Sequence, residues 1–199
     1  MTRRWLALLL PLALSACGYN RIQNLDEQAN AAQGQIEVQL QRRAELIPNL
    51  VATVKGLANQ ELAVFSEVAR ARGGLLNAVQ SKDPEQMAQA NATMNGALGR
   101  LLAVSEAYPQ LKSDQGFLKL QDELTGTANR VAVSQTDYNG AVQQYNAYIR
   151  QFPAVLTAKM TGAKDKKYFQ VTNAQNREVP TGEFGTPGAP ATTPAPARP

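Results

Sequence analysis

The sequence predicts an all-α fold: an up-and-down antiparallel helical bundle of four helical segments. Three observations predict it. Across residues 21–152 the apolar side chains recur every three or four positions, the period of one helix face. Proline and cap residues fall between these runs, with Pro48 the exception. Period-two alternation is absent until KYFQV at 167–171, which reads as a short extended segment.

The first segment carries Ile22, Leu25, Ala29, Ile36 and Leu40 on one face and leads into QRRAELIPNLVATVKG at 41–56. Proline in a helix interior removes one backbone hydrogen bond and crowds the preceding turn, at a cost of about 3 kcal/mol. A fresh helix starting at Pro48 would need Ser, Thr, Asp or Asn before it, and Ile47 cannot cap. The first two segments therefore read as one long helix kinked at Pro48, with Arg42 and Glu45 able to pair on its surface. The apolar seam continues through Leu57, Val64, Val68, Ala71 and Leu75, which predicts a helix to that point and a loop over residues 73–83.

The next helix starts at SKDPEQM, with Asp83 as N-cap, Pro84 at the first helical position and Gln86 completing a capping box. Its seam is Met87, Asn91, Met94, Leu98, Leu101 and Val104, and it ends at Tyr108–Pro109. The last segment is the most regular: Phe117, Leu120, Leu124, Ala128, Val131, Gln135, Tyr138, Val142, Tyr145, Ile149 and Phe152, closed by Pro153. Lys164, Lys166 and Lys167 follow, a charge suited to a helix C-terminus.

Both ends lie outside the bundle. MTRRWLALLLPLALSAC has the charged, apolar, small-residue order of a secretory signal. Its apolar run is about a dozen residues, short of the roughly 20 that span a bilayer. Cys17 is the only cysteine, so no internal disulfide is available to it. LSAC is similar to the lipobox of bacterial lipoproteins, which implies cleavage before Cys17 and acylation of its thiol with chains such as palmitate. Two or more chains anchor stably, at about 0.8 kcal/mol per buried methylene. The expected organisation is a signal at 1–16, a lipidated N-terminus at 17–20, the bundle at 21–170, and an extended segment with a Pro/Ala/Thr-rich tail at 171–199. That tail lacks the apolar side chains needed to offset ordering. Formal net charge is +4, and losing Arg3 and Arg4 with the signal leaves +2, too mild to argue for nucleic acid.

VQLQRRAELIPNLVATVKG, followed by NQELAVFSEVARAR, is similar to the signature of the LemA family of bacterial membrane-associated proteins. DYNGAVQQYNAYIRQFPAVLTA with KKYFQV resembles that family's second hallmark, and the likeness covers about residues 19–180. The resemblance implies a helical bundle tied to a membrane at its N-terminus, and it implies no reaction. Many members carry an N-terminal transmembrane helix, whereas this chain has a short signal and Cys17.

Chemistry is constrained mainly by what is missing. There is no histidine, which removes Ser-His-Asp, Cys-His and histidine-metal arrangements. No phosphate-cradling glycine loop occurs, so the expectation is no catalytic residue, no metal and no cofactor. Among the carboxylates Glu37, Glu45, Glu61, Glu67, Asp122 and Glu123, heptad counting places Glu61 on the apolar seam, where an ion pair with an arginine is the ordinary explanation. Arg42 and Arg43 read as a solvated face, with anion or headgroup binding the sharper alternative. Tyr138–Asn139 and Tyr145–Asn146 stand one heptad apart, as core residues that fix register or as the wall of a binding groove.

Together these residues predict a membrane-tethered, periplasm-facing scaffold with an envelope protein partner, at the outer membrane where the host has one. A module binding a peptide or envelope polymer, and more remotely a carboxylate-based hydrolase, are the alternatives. Arg42, Arg43, Glu45, Glu61, Tyr138, Asn139, Tyr145 and Asn146 form the candidate interaction surface.

Overall fold

The computed structural model describes the backbone of residues 2–57 and 61–171, and side chains from Gly18 onward except at 57–60 and 112. The Cys17 side chain and the tail beyond 171 lie outside the described residues. Six helices follow in order: α1 (Thr2–Leu57), α2 (Leu62–Ser81), α3 (Pro84–Ala107), α4 (Pro109–Lys112), α5 (Gln115–Arg150) and α6 (Ala154–Thr161). The expected all-α bundle is present, and no strand occurs among the described residues.

The long α1 is the spine. It packs along α5 over the largest shared surface, and α2 and α3 form an antiparallel hairpin against its upper half. The upper core joins Ile36, Leu40, Ile47 and Leu50 of α1 to Val68, Leu75, Met94, Leu101, Leu124 and Val131, all buried. Below it, Ile22 and Leu25 meet Tyr145 and Ile149 of α5 and Ala158 of α6 in a second cluster. Burial of each such side chain stabilises by about 1.5–3 kcal/mol, so the two clusters hold the bundle along its whole length.

Pro48 does not end α1, which runs unbroken through it. The missing proline N–H would have bonded the carbonyl of Ala44 four residues earlier. That carbonyl accepts instead from Arg72 Nε of α2, at 2.8 Å. The backbone acceptor freed by proline thus becomes a tie between two helices.

The expected helix through Leu75 is corrected. α1 stops at Leu57 and a new helix begins at Leu62, with Glu61 half-buried at its N-cap position. The apolar seam kept its phase across this reversal, which hid the turn. Gly73 and Gly74 lie inside α2, because Leu75 and Ala78 beyond them bury on the core and outweigh the roughly 1 kcal/mol that a helical glycine costs. The actual turn is the pair Lys82–Asp83, with Lys82 in the left-handed region at φ 54.

Asp83 caps α3 as expected, accepting from the N–H groups of Glu85 and Gln86 at 2.9 and 3.2 Å, with Pro84 at the first position. Its own N–H donates to Ser81 Oγ rather than to a Gln86 side chain. α5 ends at Arg150, and the Phe152–Pro153 peptide is cis. Phe152 leaves the seam: it is 82% exposed, with Leu156 and Met160 of α6 at 55% and 87%. These three lie at the lower end, where a methyl group added at Gly18 would stand 3.4 Å from Thr157 Oγ1.

Candidate functional site

The two Tyr-Asn pairs of α5 converge on the chain's own backbone. After α6 the chain leaves Gly162 without helical structure and runs back up α5 as an extended strap over residues 163–171. Asn146 donates from Nδ2 to the Lys166 carbonyl (2.9 Å), and its Oδ1 accepts the Lys166 N–H (2.8 Å). Asn139 repeats this pairing on Phe169, at 3.2 and 2.9 Å. Between them the Tyr138 hydroxyl donates to the Lys167 carbonyl at 2.8 Å, and Gln135 Nε2 adds a bond to the Phe169 carbonyl at 3.3 Å.

The spacing explains itself. Seven helical residues rise about 10.5 Å, and three extended residues span about 10 Å. Asparagines one heptad apart therefore read backbone units three residues apart. Phe169 is buried, which anchors the upper end of the strap.

The strap's lysines reach the other helices. Lys166 Nζ pairs with Asp26 at 3.0 Å and donates to Asn30 Oδ1 at 2.8 Å, both on α1, and sits 5.4 Å from the Tyr145 ring centroid. Lys167 Nζ meets Asp83 at 2.9 Å and Glu85 at 3.2 Å, where α3 begins. The Lys167 bond is the main cause holding the Asp83 carboxyl below its ordinary range, and the two carboxylates raise Lys167. Burial, with a smaller contribution from Asp83, pushes the Tyr138 phenol up to about 12, so it stays a donor at neutral pH. Burial also raises Tyr145.

Arg43 is corrected. It faces inward, 5% exposed, while its neighbour Arg42, about 100° around α1, is exposed. Nη1 and Nη2 donate to Asn91 Oδ1 and Asn95 Oδ1 of α3, both at 2.6 Å, while Nε has no partner among the described residues. Burial lowers its pKa. Glu45 is exposed and accepts from Gln41 rather than from Arg42. Glu61 sits at the head of α2 rather than on the seam, without a side-chain cap bond. The candidate surface therefore divides. Tyr138, Asn139, Tyr145 and Asn146 belong to one strap site, Arg43 to a separate interior position, and Arg42, Glu45 and Glu61 to neither.

Residues not singled out from the sequence prove central: Arg72, Asn95, and the lysines as strap contacts. Asn91 and Asn95, four apart, were a readable sign of a shared polar partner.

A family model, that of the LemA family, matches residues 32–184. Magnetosome protein MamQ 1 of Paramagnetospirillum magneticum is 28% identical over 186 aligned residues, covering 82% of this chain and 68% of that protein. MamQ of Magnetospirillum gryphiswaldense is 26% identical with the same coverage. Protein LemA of Metamycoplasma hominis is 23% identical over 166 residues, covering 83% and 71%.

Proposed function

The chain belongs to the LemA family, and from that premise we propose that it is a lipid-tethered, non-catalytic interaction module of the cell envelope. Acyl chains on Cys17 hold the lower end of the bundle against a membrane. The sides and top face the periplasm and meet an envelope protein partner. One observation carries the reading: Phe152, Leu156 and Met160 expose large apolar surface at the end of the bundle where α6 lies against α1 near Gly18. Lys159 and Lys164 stand exposed beside them, a pattern suited to anionic headgroups. Among the described residues no helix is long and apolar enough to cross a membrane. An acyl tether assisted by an apolar foot is the attachment these features favour.

The relatives' names give a cellular location or a family and no reaction, which supports an organising role. Tyr138, Asn139, Tyr145 and Asn146 support the same view, because they are engaged in holding the strap.

Cross-linking in intact envelopes tests the proposal. It should recover the same protein neighbour with or without added small ligands; absence of any reproducible neighbour would overturn it. Cys17→Ser should accumulate unprocessed precursor without acyl label, and normal processing would remove the tether from the reading.

A further inference from the structure

Helices α3 and α5 do not close against each other, although each packs within the bundle. The gap between them is a groove of about 230 Å³ floored by α1, with Leu50, Leu98, Leu102, Leu124 and Ala128 supplying apolar walls. Arg43 and Asn95 line it as well. A purely structural gap of this kind would be expected to be dry and apolar. This one has a cation set into it.

Arg43 is the one charged side chain among the buried described residues. Among the described residues its only hydrogen-bond partners are two neutral amides, and Nε has none. Arg100, Arg150, Lys166 and Lys167 are all far more exposed, yet each meets a carboxylate. Of these five cations, the most deeply buried is the one with no carboxylate partner among the described residues. A buried unpaired charge is costly, and removal from water strengthens its attraction for an anion. The two asparagines fix the guanidinium plane without neutralising it, which is the arrangement of a receptor organised before its ligand arrives.

We propose that the α3–α5 groove binds a small amphiphile with a carboxylate head and a medium-length alkyl tail, the head on Arg43 and the tail along Leu50, Leu98, Leu102 and Leu124. A planar carboxylate matches the guanidinium fork. A single cation balances a monoanion and leaves a phosphate dianion half-compensated. The site is independent of the membrane tether and of the strap.

The test is titration of the full chain with decanoate, decanol, decyl phosphate and decyltrimethylammonium, read by calorimetry and thermal shift. Decanoate should bind saturably at one site and raise the melting temperature, with decanol and the cation weaker by about thirtyfold. Arg43→Met should weaken decanoate by a similar factor, and Arg100→Met should not. Leu98→Trp fills the groove and keeps the Arg43 guanidinium, so it should abolish binding even where Arg43→Met perturbs folding. No saturable binding, equal binding of decanoate and decanol, or binding that survives Leu98→Trp would each overturn the site. Tighter binding of decyl phosphate than of decanoate would overturn the choice of head group.

Discussion

Arg72→Ala gives the sharpest check on the packing of α1 against α2. The variant removes the Nε–H that the Ala44 carbonyl accepts at 2.8 Å. Ala44 is fully buried, and Pro48 cannot supply the N–H that a helix normally provides there. A buried carbonyl left without a partner costs about 1–3 kcal/mol. A loss of about 2 kcal/mol corresponds to a drop of about 4–8 °C in melting temperature for a chain of this size. Pro48→Ala restores the missing donor within α1. In that background Arg72→Ala should cost only about 0.5 kcal/mol, so the double-mutant cycle should return a coupling of about 1.5 kcal/mol. Urea unfolding of the four proteins, followed by far-ultraviolet circular dichroism, measures it. Equal losses from Arg72→Ala with proline or alanine at position 48 would refute the account, since the arginine would then act through packing or charge alone.

Asn146→Ala removes both halves of the Lys166 pairing and should cost about 2–3 kcal/mol, with hydrogen exchange accelerating at the Lys166 and Phe169 amides; unchanged protection there would mean that Phe169 burial alone holds the strap. The Lys167 latch should depend on pH at both extremes. Asp83 lies below its ordinary value, so its contribution is present above about pH 4 and fades as pH falls through the lowered folded value. Lys167 is raised, so its contribution is complete below about pH 10 and fades as pH rises through the raised value. The difference in melting temperature between wild type and Lys167→Met should therefore be flat through neutrality and shrink in acid, and a difference that persists in strong acid would remove Asp83 from the latch. Glu61→Gln should change stability by less than about 0.5 kcal/mol, and a larger loss in thermal melts would return that carboxylate to a structural role.

Local order in this chain is legible because it is written in short-range terms. The α5 seam from Phe117 to Ile149 and the Asp83–Pro84 helix start each need only a few neighbouring residues to be recognised. The turn between α1 and α2 was not legible, since Leu57, Val64 and Val68 continue one apolar phase across a reversal of direction, while Gly73–Gly74 offered a false break. Arg43 was read as solvated because charge ordinarily is, and the amides that receive it lie 48 and 52 residues away. The Tyr-Asn repeat announced a site by its heptad spacing. Its ligand proved to be backbone twenty to thirty residues downstream, which carries no side-chain signature.

The strap also has a mechanical consequence. With the lower end held through Cys17, a load applied at residue 171 acts on the strap. A pull directed upward along α5 strains the Asn139, Tyr138 and Asn146 bonds together, in shear, while Lys166 and Lys167 spread the load to α1 and α3. A pull away from α5 meets Phe169 first and opens the bonds one after another, like a peeled tape. The same residues would resist tension from above and yield to tension from the side, so the direction of a pull at residue 171 would decide whether the bundle transmits force or releases the strap.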